Sequence, residues 1–530
     1  MSRKILVIGL DGLDFDLSTQ FMRDNVMPNL AKLCQEGVYA QMLSPAPLQS
    51  PSSWTSFITG KNPGKHGIFS FFGYKNNSYE LKICNSLERK SQTLWHILNK
   101  YGKTAGILNL PCLFPPEKID GYMVCGMLAP SINCQFTYPE ELKGKLLKQV
   151  PDYEIDIGMA MSSRDSHEVV LKKVYQITEK RAEAAKFLLR EFPCDVSIMV
   201  FTETDHILHL FQKDMGTQSK YKDAVTDYFN FLDYKIGQLI AMSGDEDTVI
   251  VVSDHGMKVF KKVLYVNNLL QGIGLFDKGE KPKVKPVYIL VSACIQLIAD
   301  LMIKIKLSPD ALKKILPIWL FKRLNIILGE GRGHDWSKTK AFSTNIGDGI
   351  IINLKGRQPN GIVPPEEYES VRDAIIKEIN NIRDPDTNEG IVYSIQKREE
   401  AFFGGFVNEA PDIILRVKEG YSTDPSTKLA GILEKENLLE PINSDHTCSA
   451  MLIMHGKNIK RGALTNKPVI FDITPTILGL LNIPADADLD GRALSEAIVE
   501  GKAESAPVTV SERLLLSRRI KELKASGKIT

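Results

Sequence analysis

Residues 4–11, KILVIGLD, decide how the rest of the chain is read. Ile5 to Leu10 is apolar at every position, without the alternation of a half-exposed strand, and an aspartate closes it. Such a run is the signature of a strand buried on both faces. Three more runs share the pattern: DVSIMVFTETD (195–205), DTVIVVSDH (247–255) and SAMLIMHG (449–456). Helical patterns such as HEVVLKKVYQITEKRAEAAKFLLREF (167–192) separate them, which predicts an α/β fold whose runs are parallel strands of one central sheet. Three runs lead into Asp11, Asp205 and Asp254. Ligand sites in open α/β sheets lie beyond the carboxyl ends of the strands, so these aspartates are expected on one edge.

At 530 residues the chain exceeds one compact core and implies either a large domain with insertions or two domains. Its 66 basic and 64 acidic residues nearly cancel, so nothing points to a nucleic-acid polymer as partner. Eight scattered cysteines show no paired metal spacing and read as free thiols. With an N-terminus that reads as a first strand rather than a signal peptide, this gives the expectation of a cytoplasmic protein.

The character of the chain changes between 257 and 333, with a Lys-rich stretch and two apolar helical patterns. This predicts a helical capping insertion between two parts of the sheet domain, 1–256 and 334–500, followed by a polar helical tail over 501–530. Within the insertion, PVYILVSACIQLIADLMIKIKL (286–307) is interrupted by Gln296, Asp300, Lys304 and Lys306. That pattern suits an amphipathic helix packed on a neighbour or in peripheral contact with a membrane surface, rather than a spanning one. The oligomeric state is not legible.

LQSPSSWTSFITGKNPGKHGIF (48–69) holds a candidate nucleophile. Ser50 in the cap position, Pro51 at the first helical position and Gly60 as the stop make an ordinary helix start. A helix start also presents free N–H groups and a positive dipole end to anions. Metal-like spacings occur elsewhere: Asp205 and His209 four residues apart, Asp254 beside His255 at a strand end, and His446 just ahead of the last run. Each alone is equally a turn aspartate or a packed histidine. Their joint order is far more specific.

An Asp ending the first strand, a Ser opening a glycine-terminated helix, D-x-x-x-H, D-H-G and a distant His together resemble the alkaline phosphatase superfamily. Within it, VIGLDGLD, MPNLAKLCQEG, SPSSWTSFITGKNPGKHGIF, VVSDHG and DITPTILGLLNIP are similar to the type I phosphodiesterase and nucleotide pyrophosphatase branch. The resemblance implies a three-layer sandwich with a mostly parallel central sheet and a helical cap. It also implies two divalent metal ions, Zn2+ first and Mn2+ or Fe next. Asp205, His209 and His446 would hold one, and Asp11, Asp254, His255 and the Ser50 oxygen the other. The implied activity is hydrolysis of a small phosphodiester or nucleotide pyrophosphate through a phosphoserine on Ser50. Such chemistry needs a metal-activated hydroxyl, because serine is a poor nucleophile at neutral pH.

Many members carry Asn three residues after the nucleophile, where this chain has Ser53, so Ser53 is the candidate for contacting the phosphoryl oxygen. The sulfatase signature is missing. A phosphomonoesterase or phosphoglycerate-mutase-like phosphotransferase would use the same residues, and a non-catalytic metal-binding scaffold is the reading from another class. His206 is expected behind Asp205, His66 in a turn, and His334 with Asp335 at the return of the insertion. Pocket selectivity is expected from that insertion and from the segments 106–116 and 124–131.

Overall fold

The computed structural model describes residues 4–75, 78–157, 167–279, 334–344, 346, 349–427, 431–435, 442–464 and 466–499. The chain is an α/β protein built on an eight-stranded sheet. Its order is Val38–Leu43, Ser449–Gly456, Thr248–Val252, Ile5–Leu10, Val196–Phe201, Ala105–Leu108, Gly121–Val124 and Thr137–Tyr138. The first strand is central and parallel to both neighbours, with Ile8 opposite Met199 on one side and Val251 on the other. Every residue of Ile5–Leu10, Val196–Phe201 and Thr248–Val252 is buried, as their unbroken apolar sequences require.

The run at Ser449–Gly456 departs from expectation: it is antiparallel to both neighbours, pairing Leu452 with Val252 and with Ala40. Apolar composition reports burial on two faces and carries no information on direction. The reversal has a functional consequence. An antiparallel strand begins where its parallel neighbours end, so the residues just ahead of Ser449 arrive at the edge that holds Asp11 and Asp254.

Helix Ser50–Thr59, buried at every position, lies against the first strand. Gly9 makes that possible, because a Cβ there would stand 2.5 Å from Trp54 Cη2 and 2.9 Å from Val200 Cγ2. The helix ends at Gly60, whose φ of 64° is the left-handed conformation usual after a last turn.

A second hydrophobic core belongs to a four-stranded antiparallel sheet of Ala341–Ser343, Gly349–Ile352, Ile413–Val417 and Val392–Lys397, backed by helix Tyr368–Asn380. Part of the 334–500 stretch thus has its own sheet. The first part of the expected helical insertion contains strands Gly256–Val259 and Lys262–Tyr265, followed by helix Val266–Gly272. Residues 280–333, including the 286–307 segment, and the 501–530 tail lie outside the described residues. Among the described residues no helix is long and apolar enough to cross a membrane.

Candidate active site

The first strand delivers Asp11, fully buried, to the carboxyl edge of the sheet. Its Oδ1 accepts from Ser50 Oγ at 3.2 Å and its Oδ2 from Trp54 Nε1 at 3.0 Å. One helix turn therefore supplies both groups that grip this carboxylate. The Ser50 Oγ is also 3.2 Å from His255 Nε2. Ser50 is the first residue of its helix with Gln49 as the cap, and its hydroxyl bonds across to Asp11 and His255. The expected capping role of Ser50 thus gives way to a site contact.

Asp254 and His255 leave the Thr248–Val252 strand side by side. Asp254 Oδ1 accepts the Gly12 N–H at 3.1 Å, while its Oδ2 is buried without a hydrogen-bond partner and 3.3 Å from His255 Nε2. Gly12 takes φ of +75°, and a Cβ there would crowd Asp205 Oδ1 at 3.1 Å, so the glycine after Asp11 has a steric reason.

Helix Glu203–Phe211 carries Asp205 and His209 on one face. Asp205 Oδ1 is 3.4 Å from His209 Nε2 and 3.5 Å from His446 Nε2, and those two nitrogens are 3.0 Å apart. The His446 ring stacks on that of His255 at 3.8 Å between centroids. Asp11, Asp254 and His255 are fully buried, whereas Asp205, His209 and His446 reach solvent.

All three imidazoles are oriented alike. Their Nδ1–H groups donate to backbone carbonyls: His209 to Ser444 at 2.8 Å, His446 to Leu48 at 2.6 Å and His255 to Gly256 at 3.2 Å. A carbonyl only accepts, so Nδ1 carries a proton in each ring and Nε2 faces inward, the orientation usual for metal-ligating histidine. Lone pairs and carboxylate oxygens at 3.0 to 3.5 Å repel unless positive charge lies among them. Asp205 Oδ1 and Asp254 Oδ2 are buried atoms lacking hydrogen-bond partners, which marks the same deficit. The donor set therefore fits divalent cations.

Without a cation, protons held at the centre supply the missing positive charge. Burial, then Asp254 and Asp205, hold the Asp11 carboxyl well above its ordinary range. Burial and then Asp205 push Asp254 up to about 7, against the Gly12 N–H. Burial would raise Asp205 too, but His209, His446 and His255 outweigh it and keep that carboxyl low. Burial lowers His209, and burial with His446 lowers His255 further. His446 rises to about 9, because Asp205 overcomes the opposing effect of burial.

Two groups of ligand atoms fall within 4.8 Å of one another: Asp205, His209 and His446, and Asp11, Asp205 and His255. Asp205 belongs to both. The resemblance assigned Asp254 rather than Asp205 to the second group, and the structure places Asp254 beside His255 without including it in that compact triad.

Ser53 is buried one turn beyond Ser50, with its hydroxyl 3.0 Å from that of Ser44. His206 turns back to the Thr202 carbonyl at 2.9 Å. His66 is the last residue of the short helix Pro63–His66 rather than part of a turn, taking the Ile68 N–H on Nδ1 at 3.1 Å and lying 2.9 Å from Ser56 Oγ through Nε2. The His334 ring packs on Phe276 and Trp336, and the Asp335 carboxylate accepts from Ser337.

Sequence reading missed Trp54, which stood in the quoted stretch but looked like part of an apolar face. It also missed Arg181, whose guanidinium forms a fully buried pair with Glu203 at 2.6 Å behind the Asp205 helix. One Arg among the several basic residues of a long amphipathic helix gives no signal of this.

A family-model match over most of the chain defines a class, the metal-dependent phosphoric ester hydrolases. The chain belongs to the type I phosphodiesterase/nucleotide pyrophosphatase family, whose model matches residues 5–438. It is accordingly a hydrolase of phosphodiesterase or pyrophosphatase type.

Among solved structures it is similar to phosphonoacetate hydrolase from Sinorhizobium meliloti 1021 in complex with phosphonoacetate, at 17% identity and TM-score 0.51, covering 89% of this chain and 94% of that one. Murine ectonucleotide pyrophosphatase/phosphodiesterase 5 is similar at 13% identity and TM-score 0.48, covering 91% and 96%. Its human counterpart is similar at 12% identity and TM-score 0.49, covering 95% and 100%. The likeness to the hydrolase bears on the fold alone. Comparison with curated proteins gave no match.

Proposed function

We propose that this chain cleaves the phosphodiester or pyrophosphate bond of a small molecule by attack of Ser50 Oγ, in two in-line displacements through a phosphoserine. The observation that carries the reading is the position of Ser50 Oγ, 3.2 Å from both Asp11 Oδ1 and His255 Nε2 at the start of a buried helix. Both neighbours are acceptors for the hydroxyl proton. The helix start adds free N–H groups and a positive dipole end for the phosphoryl oxygens, and Ser53 is the candidate side-chain donor one turn on.

Asp205, His209 and His446 would hold one cation, and Asp11, Asp254 and His255 with the Ser50 oxygen another, with Asp205 near both. Imidazole with carboxylate suits Zn2+ first and Mn2+ or Fe next. Bound there, the cations would lower the pKa of the Ser50 hydroxyl and offset charge on the phosphoryl group. The scattered cysteines, with no paired spacing, suit work in a reducing, cytoplasmic setting.

The test is parallel kinetics of wild type and Ser50→Ala on bis-p-nitrophenyl phosphate, p-nitrophenyl phosphate and p-nitrophenyl thymidine monophosphate with Zn2+ or Mn2+. Diester turnover that falls at least about a thousandfold in Ser50→Ala is expected, since loss of a nucleophile removes a covalent route. Predominant monoester turnover would instead favour the monoesterase or mutase reading. Unchanged activity in Ser50→Ala would remove the nucleophile.

A further inference from the structure

A cleft opens beside the cation centre and shares His446 with it. One wall is the paired strands Gly256–Val259 and Ser444–Thr447, and the other is Ile413–Val417 with the turn that follows it. Three cations line it: Lys258, Arg416 and Lys418. Lys258 is already committed, 3.1 Å from Asp14 and 3.3 Å from Asp16. The carboxylate of Asp445 is committed as well, accepting from Ser422 Oγ at 2.5 Å and from the His446 N–H at 2.8 Å. An exposed acid, Glu419, also lines it.

Arg416 and Lys418 are different. The Arg416 guanidinium lies over the Tyr393 ring, 4.9 Å from its centroid, and among the described residues neither cation has an ion-pair partner. Stacking on an aromatic face fixes a guanidinium plane while leaving its edge N–H groups free for a bidentate oxyanion. A neutral substituent on the scissile phosphate would make no charge contact with either. An anionic one would meet them.

We propose that this cleft receives a substituent of the substrate phosphate that carries its own negative charge, a phosphate or a carboxylate, and that Arg416, held by Tyr393, and Lys418 select for it. The proposal rests on the hydrolase reading above.

Three substrates isolate the charge: the phenyl ester of thymidine 5′-monophosphate, its 3-carboxyphenyl ester, and thymidine 5′-diphosphate, with release of the monophosphate measured. Wild type is expected to prefer at least one charged substrate over the phenyl ester by about tenfold or more in kcat/KM, the scale of one charge-assisted contact. Arg416→Ala and Lys418→Ala are expected to erase that preference while leaving the phenyl ester within about twofold, which a general structural defect would not do. The two charged arms tell phosphate from carboxylate. Absence of a preference in wild type, or an equal fall on all three substrates, overturns the proposal.

Failure to cleave any of the three would count against the hydrolase reading, and the cleft then has its own readout. Calorimetric binding of inorganic pyrophosphate to the full, cation-free chain is expected to weaken about tenfold in Arg416→Glu. Equal binding overturns the proposal.

Discussion

Asp205 is shared by both groups of candidate ligands, and its variants separate a shared carboxylate from a private one. Asp205→Asn is expected to abolish stoichiometric retention of both cations, whereas His209→Ala retains about one per chain; elemental analysis after dialysis checks the difference, given the two-cation requirement of such sites. Asp254 adds a pH dependence. Its folded carboxyl is raised above the unfolded value, so without cations its stabilising contribution is complete below the ordinary carboxylate range and is lost as pH rises toward about 7. A cation needs the ionised form. The thermal shift produced by saturating Zn2+ should therefore be larger at pH 8 than at pH 6, and equal shifts would argue against Asp254 near a cation. Asp11, Asp254 and His255 were legible because strand ends and adjacent polar residues are local patterns. Trp54 was not, because the polar use of an indole N–H depends on which carboxylate the fold brings to it.

Helix Glu203–Phe211 is held from behind by the buried pair of Arg181 and Glu203, where Arg181 Nε and Nη2 both reach the carboxylate. Glu203→Gln leaves a buried guanidinium without its counter-charge, which costs about 3–5 kcal/mol in comparable pairs. The expected outcome is a lower urea midpoint and weaker cation retention, with the replacement of both residues by apolar ones less harmful to stability than either alone. The D-x-x-x-H spacing on this helix was readable, since four residues make one turn. The direction of the Ser449–Gly456 strand was not, since an apolar run is the same in either direction, and that direction is what brings His446 to the other ligands.

The ligands come from strands at the centre of the main sheet and from residues as far apart in sequence as Asp11 and His446, so they exist as a set only in the folded chain. Cation binding is therefore linked to global stability. Removing cations with a chelator should lower ΔG of unfolding by about 3 kcal/mol when the starting concentration is some hundredfold above Kd. Calorimetry with and without chelator measures this, and an unchanged melting temperature would argue against tight cation binding at the centre. The main sheet was legible from four runs, but the Val392–Lys397 strand of the second sheet was not. Val392–Lys397 is only partly buried along its length, so its sequence lacks the unbroken apolar signature. The contact between Gly9, Trp54 and Asp11 also gives the chain an optical reporter. An indole bonded to a carboxylate experiences that group's charge, so Zn2+ binding should shift the tryptophan emission, with the change absent in Trp54→Phe, and occupancy of the centre could be followed in unlabelled protein without turnover.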